Sequence, residues 1–290
     1  SEVKQGILDL SYKACKADIC PSLINNINKG LNVFLKHKEQ LNRIRSRTLL
    51  LDIDTSCNLK CPTCRPNLLM EKQNPLGGKI LEKFDNFVLP AFEKDDEIII
   101  RLSGGGEFLV SSIIRNYVFS FDYEKHPNVK FYLHTNGTLL HQFEEELCRI
   151  ANRIHRILIS IDAATENTYS KTRVNGKWEN LLKGIDTVKK LKTINPNINY
   201  SFAFVVSALN YYELNDFIKF AKQNGAHNAS IQTITRWYQN NQIWAEHNIF
   251  DPKHPEHAKL LRTLDSFDYN DTFVSHALFQ YQTKNNSKLN

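Results

Sequence analysis

No run of about 18 apolar residues occurs in the 290-residue chain, so no segment is a candidate for a membrane-spanning helix. The first residues, SEVKQGILDL, lack the basic start, apolar stretch and small-residue cleavage site of an export signal, and the chain is expected to be cytoplasmic. Charge of one sign is not in large excess. The 37 Lys and Arg against 31 Asp and Glu leave a net +6, and the bases are scattered over helix-like segments such as residues 183–192. That pattern is a solvated helix face rather than a nucleic-acid patch, so neither nucleic acid nor membrane is expected as a partner. No low-complexity linker is present. Cysteine is sparse, six in all, and none follows Cys148.

Three of the six cysteines are concentrated in LDIDTSCNLKCPTCRPN, where Cys57, Cys61 and Cys64 are spaced C-x3-C-x2-C after a short apolar segment. Three thiolates from one loop make a soft-metal site, whereas a closed tetrahedral zinc site needs four ligands. No fourth Cys lies nearby. A distant His could complete zinc, or the thiols could be unrelated. A four-iron cluster held by only three cysteines would leave one iron open to a non-protein ligand. Six cysteines could form disulfides, but a metal-like triad in a chain this long points instead to a reducing compartment.

A chain that is 41% apolar can bury a full core. Residues 1–48 read as an N-terminal helical extension, with Ile24, Ile27, Leu31, Phe34, Leu35 and Leu41 as its apolar positions. Beyond them, apolar β-branched runs at residues 49–53, 97–102, 129–133, 156–161, 200–206 and 228–234 alternate with amphipathic patterns at 80–92, 112–121, 141–152, 178–191 and 212–224. Gly225 stands where a helix C-cap is expected. Short strands alternating with helices predict a parallel sheet covered by helices. The expected fold is α/β, a partial (β/α)6 TIM-like barrel over residues 49–234, with a C-terminal extension, 235–290, closing one end. Barrels of this kind carry their sites at the C-terminal strand ends.

The cysteine spacing after the first strand, with the strand-end motifs that follow, resembles the radical S-adenosylmethionine (radical SAM) enzymes. The resemblance runs from about Leu49 to about Ile234. It implies a [4Fe–4S] cluster on Cys57, Cys61 and Cys64, with S-adenosylmethionine on the open iron. It also implies reductive cleavage to a 5'-deoxyadenosyl radical and hydrogen abstraction from a substrate. A reductant protein such as a flavodoxin or ferredoxin is the implied electron donor. In RLSGGGEFL the run Gly105, Gly106 and Glu107, preceded by Gly104, matches the strand end that binds the methionine amino group. The carboxylate of Glu107 also suits an ammonium on its own chemistry. In FYLHTNGTLL, Thr135 and Asn136 match a strand end close to the cofactor, although Asn-Gly is a common turn. In ILISIDAATENTYSKTRVNGKW, Ser160 and Asp162 fall on one face of the fourth strand. The resemblance gives Ser160 and Arg173 to the methionine carboxylate and Asp162 to the ribose hydroxyls. Ser207 and Asn210, after the fifth strand, match a segment that contacts adenine, and Thr63 replaces the aromatic residue frequent before the third Cys.

Several residues are open to two readings. Gln232 is an inward polar candidate or a core glutamine. Cys148 fits a small apolar helix residue, although it, Cys15 and Cys20 could each donate hydrogen to a substrate radical. His254 and His257 could bind metal, but between two prolines a packed loop is the better expectation. With no cysteine after Cys148, the auxiliary-cluster domain that some relatives carry is not expected. The expected substrate is a ribosomally made peptide, epimerised or cross-linked, with a sugar or other small metabolite as the alternative. The aromatic residues Trp237, Tyr238 and Trp244 would suit either.

Overall fold

The computed structural model of the protein describes residues 46–70, 74, 76–92, 97–102, 105–235 and 241–278. Its centre is a parallel sheet of seven strands in sequence order: β1 (Ser46–Leu51), β2 (Glu97–Leu102), β3 (Val129–Thr135), β4 (Ile154–Ser160), β5 (Asn199–Val206), β6 (Asn228–Thr233) and β7 (Val274–His276). With β1 and β7 at its two edges, the sheet is an open, partial barrel.

The strands form because alternate residues are apolar and meet the helices. On β2, Ile98, Ile100 and Leu102 are buried; on β3 they are Val129, Phe131 and Leu133; on β5 they are Tyr200, Phe202, Phe204 and Val206. All belong to one continuous core with the apolar faces of the surrounding helices. The opposite parity carries Arg101, Tyr132, His134, Arg156, Ser160 and Ser201 beside Ile99, Leu158, Ala203 and Val205, so the polar side chains of these strands gather on the inner face of the sheet.

The helices are α1 (Gly77–Lys83), α2 (Ser112–Phe119), α3 (Glu144–Arg149), α4 (Glu166–Thr172), α5 (Trp178–Ile194), α6 (Leu214–Gln223), α7 (Asn241–His247) and α8 (His257–Asp265). The five expected amphipathic segments are all present. Two of them are more broken than their periodicity suggests. Residues 80–92 pass from α1 into a wide π turn at Phe84–Val88 and a tight turn at Leu89–Ala91, where Pro90 cannot donate its nitrogen. Residues 141–152 hold only two turns of α-helix between tight turns at Leu140–Phe143 and Ala151–Arg153. Gly225 follows α6 with φ +72, the left-handed conformation of a glycine C-cap.

Two boundaries differ from expectation. Residues 46–48 open β1 rather than close a helical extension; the rest of that extension lies outside the described residues, as do Cys15, Cys20 and Gly104. The C-terminal segment, expected to close one end of the barrel, contributes a strand to the sheet. It adds β7, paired parallel to β6 through Ala229 with Val274, Ser230 with Ser275 and Ile231 with His276. A three-residue strand with no buried position carries too little apolar pattern to be seen in sequence.

One glycine is set by close approach of two segments. A Cβ on Gly184 of α5 would stand 2.0 Å from the carbonyl oxygen of Gly137. Gly184→Ala is therefore expected to push α5 off the β3 end and destabilise by about 2 kcal/mol. A thermal melt checks this, and an unchanged melting temperature would contradict the packing.

Candidate active site

The loop after β1 is fixed before it reaches its first cysteine. Asp54 accepts the backbone N–H of Ser56 at 2.8 Å and the Ser111 hydroxyl at 2.6 Å. Ser111 in turn accepts the backbone N–H of Ile114 at 3.3 Å and so caps α2. Gly106 lies against this stretch so closely that a Cβ there would meet the carbonyl oxygens of Asp54 at 2.5 Å and Ser56 at 2.8 Å. The Glu107 N–H donates to the Ser56 carbonyl at 2.8 Å. The β2 end and the cysteine loop are thus tied backbone to backbone, which requires glycine at 106.

The loop then turns at its third cysteine, where the N–H groups of Cys64 and Arg65 both donate to the Cys61 carbonyl, at 2.9 and 3.0 Å. Cys57 and Cys61 are buried, and Cys64 is half-buried. Donors point at the sulfurs. The Cys57 sulfur accepts from the Leu59 N–H at 3.4 Å and the Asn136 amide at 3.9 Å, and the Cys61 sulfur accepts from the Arg173 guanidinium at 3.6 Å. Burial pushes the Cys57 thiol up to about 11 and raises that of Cys61. Unaided, these groups stay protonated; a metal that displaces the proton makes them thiolates that the same donors stabilise.

Glu107, Thr135, Asn136, Ser160, Asp162 and Arg173 line one cavity of about 550 Å³ together with the cysteines. Glu107 is buried. It accepts from the Thr135 hydroxyl at 2.8 Å and the Asn136 N–H at 2.6 Å, yet burial outweighs these bonds and lifts its carboxyl to about 7. Asp162 sits just past β4 at φ +57, a conformation that Asp tolerates better than most residues. Its carboxylate accepts the Val205 N–H at 2.7 Å and pairs with Arg173 at 2.6 Å. Burial raises the Asp162 carboxyl, with Arg173 pulling the other way. Burial opposes the Arg173 charge, and Asp162 with Cys61 outweighs it, leaving the guanidinium more firmly protonated than usual. The Arg173 Nε is buried with no partner.

Most of the residues expected from sequence are brought together here: Gly105, Gly106, Glu107, Asn136, Ser160, Asp162 and Arg173 all line the cavity with the three cysteines, as do Thr63 and Gln232. Asn136 also fastens the loop, donating to the Asn58 side chain at 2.9 Å while accepting from the Thr138 hydroxyl at 2.7 Å.

Asn210 is not brought to the cavity. Its amide donates to the carbonyls of Asp162 at 3.0 Å and Val205 at 2.9 Å, and its oxygen accepts the Ser207 N–H at 2.8 Å. Asn210 and Ser207 are buried and shape the backbone after β5 rather than facing the cavity. Cys148 packs half-buried on the apolar core and is absent from the cavity lining. His254 and His257 bond to the backbone carbonyls of Glu246 at 3.2 Å and Ile249 at 2.9 Å, which makes theirs a packed loop. Trp244 on α7 is half-buried away from the cavity; Trp237 and Tyr238 lie outside the described residues.

Arg65 and His134 are among the lining residues that the sequence did not single out. Arg65 is buried and donates to the carbonyls of Thr55, at 2.7 Å, and Gly105. Its signal was its place directly after the third cysteine. His134, on the inner parity of β3, bonds Ser160 at 3.0 Å; strand alternation alone placed it inward.

The donor set fits the cofactors that the resemblance implied: three thiols in one loop, two of them under N–H donors, a carboxylate for an ammonium, and a buried guanidinium with a donor to spare. Residues 53–221, more than half of the chain, match the family model of the Radical SAM superfamily. The chain belongs to that superfamily, whose members use a [4Fe–4S] cluster and S-adenosylmethionine. It is 24% identical over 192 residues to a GTP 3',8-cyclase of Clostridium acetobutylicum, covering 65% of this chain and 55% of that protein. The chain thus spans little more than half the length of that curated relative.

Among solved structures it is similar to Streptococcus suis SuiB. With S-adenosylmethionine bound, SuiB gives a TM-score of 0.53 at 16% identity over 95% of this chain and 60% of SuiB. Bound to the precursor peptide SuiA, it gives 0.51 at 15% identity over 98% of this chain and 63% of SuiB. It is also similar to anSMEcpe with bound AdoMet, at a TM-score of 0.50 and 18% identity over 66% of this chain and 50% of that one. At these identities the structures share the fold. Among the described residues no helix is long and apolar enough to cross a membrane.

Proposed function

We propose that the protein is a radical enzyme that abstracts hydrogen from an unactivated carbon of a ribosomally made peptide. The observation that carries the reading is the cavity that Cys57, Cys61 and Cys64 line together with Glu107, Ser160, Asp162 and Arg173. When bound, the cluster and S-adenosylmethionine supply the one-electron cleavage that yields the 5'-deoxyadenosyl radical. The chain's own work is to hold and orient. Cys57, Cys61 and Cys64 would hold the cluster; Glu107 would receive the ammonium, and Ser160 and Arg173 the carboxylate. The carboxylate of Asp162 keeps Arg173 in place with one oxygen and accepts the Val205 N–H with the other, and each oxygen keeps a lone pair that could accept a ribose hydroxyl. Gly105 and Gly106 let the ligand approach the β2 end closely.

The likeness in fold to SuiB, over 95% of this chain, supports a peptide substrate, which is an argument from fold alone. The sequence similarity to a GTP 3',8-cyclase favours the second reading, a small metabolite. A flavodoxin or ferredoxin would be the reductant. Anaerobic reconstitution with dithionite and S-adenosylmethionine is expected to release 5'-deoxyadenosine. A peptide substrate deuterated at the reacting carbon would pass its label to that product. Absence of 5'-deoxyadenosine from iron-replete protein would sink the enzyme reading, and label arriving only from a nucleotide or sugar would select the second.

A further inference from the structure

A chain of side chains crosses three neighbouring strands at the cavity, which His134 and Ser160 line. Arg101 of β2 lies 3.2 Å from the His134 Nδ1 through its Nη2, and the His134 Nε2 lies 3.0 Å from the Ser160 hydroxyl on β4. The directions of these bonds follow from the donors available. A guanidinium only donates, so the histidine nitrogen that faces Arg101 accepts and carries no proton. Burial, with Arg101 next in effect, pushes the imidazole down to about 4, so the ring is neutral and its one proton sits on the nitrogen facing Ser160. That N–H donates to the serine oxygen. The serine's own proton is then free to point elsewhere, and Ser160 lines the cavity.

Among the described residues no carboxylate pairs with the cations under this chain. The guanidinium carbons of Arg101 and Arg156 stand 5.1 and 5.5 Å from the Tyr132 ring centroid. Arg156 otherwise donates to the Ser201 hydroxyl at 3.2 Å. The Nε of each arginine is buried without a partner, and neither is in a salt bridge to a described residue, unlike Arg173 with Asp162.

We infer that Arg101 and His134 are positioning residues that turn the Ser160 hydroxyl into a donor aimed at the carboxylate of S-adenosylmethionine. The inference rests on Ser160 being the carboxylate contact proposed above, and adds what orients it. An anion favours a hydrogen-bond donor over an acceptor, and the positive charge of Arg101 strengthens the donor through the intervening imidazole.

The test compares S-adenosylmethionine with its decarboxylated analogue in equilibrium dialysis against the reconstituted, iron-replete protein. Wild type is expected to prefer the carboxylated ligand. His134→Leu is expected to lower that preference roughly tenfold or more, weakening S-adenosylmethionine while leaving the decarboxylated analogue bound as before. His134→Gln, whose amide N–H reaches the Nε2 position, is expected to restore most of it. In Ser160→Ala the preference falls, and adding His134→Leu lowers it no further. Selective nitrogen-15 labelling of histidine reads the tautomer directly, and keeps the inference testable if the Leu variant does not fold.

An Nδ1–H tautomer, an equal loss of both ligands in His134→Leu, or effects that add in the double variant would each overturn it. If Ser160→Ala keeps the full preference, the carboxylate contact itself is wrong and the inference falls with it. If wild type binds neither ligand, the proposed function fails first.

Discussion

Cys57→Ala, Cys61→Ala and Cys64→Ala are each expected to give folded protein that holds no four-iron cluster after anaerobic reconstitution and releases 5'-deoxyadenosine only at background. The variants should fold because the loop does not depend on its sulfurs. Asp54, Ser56 and Ser111 fix its start, and the Cys61 carbonyl closes its turn by accepting two backbone N–H groups. Losing one buried sulfur costs about 1 kcal/mol, as for other small truncations in a packed site. The loss of metal should be complete, because two thiolates cannot hold a cubane that three barely enclose. Burial holds Cys57 near 11, so assembly has to displace protons and should be faster at higher pH. Cys148→Ala is the control; it lies on the core outside the cavity and should keep wild-type iron and product. Iron content, visible absorbance and 5'-deoxyadenosine measured on one preparation decide the matter. A Cys57→Ala protein releasing as much 5'-deoxyadenosine as wild type would refute the assignment.

The residues that were legible in the sequence are those whose role is local. The triad, Gly105-Gly106-Glu107 and Thr135-Asn136 each follow a recognisable strand, and a strand end fixes where its next few residues go. Ser160 was readable because Ile159 and Ile161 on either side of it are apolar. Where role depends on a partner far along the chain, the sequence is silent. Asn210 has the look of a ligand contact, but the carbonyls of Asp162 and Val205 occupy its amide. His134 reads as an ordinary inward residue until Arg101 and Ser160 are seen on either side of it. The strand β7 was hidden for a different reason. Its pairing to β6 is made by backbone, and its three side chains record almost nothing of it.

Glu107→Gln is expected to change both stability and ligand binding, with opposite signs. In the ligand-free protein the Glu107 carboxyl titrates near 7, against an ordinary value of 4.5, because burial is the largest influence on it. Between those two values the folded protein keeps a proton that the unfolded chain has released. Stability attributable to Glu107 is therefore fully present below about pH 4.5. It falls as pH rises and levels off above about 7, lower by roughly 3 kcal/mol. Gln cannot ionise, and it can keep the two shorter contacts while giving up the long one, the Leu109 N–H at 3.5 Å. Its oxygen can accept the Asn136 N–H, and its amide can donate to the Thr135 hydroxyl, which now accepts rather than donates. Urea melts from pH 5 to pH 8 should show wild type losing stability relative to Glu107→Gln along that curve. Ligand binding runs the other way. An ammonium beside the carboxyl favours its ionised form, so below about pH 7 binding has to expel the Glu107 proton. Affinity for S-adenosylmethionine should then drop by up to tenfold per pH unit as pH falls. In Glu107→Gln that dependence disappears, and affinity at pH 8 is lower than in wild type by about tenfold or more, the loss of one charge-assisted hydrogen bond. A variant that is more stable at pH 8 yet binds more weakly there is the signature of a carboxylate kept buried for a cationic ligand. Equal affinity at pH 8 in the two proteins would mean that the ammonium does not sit against Glu107.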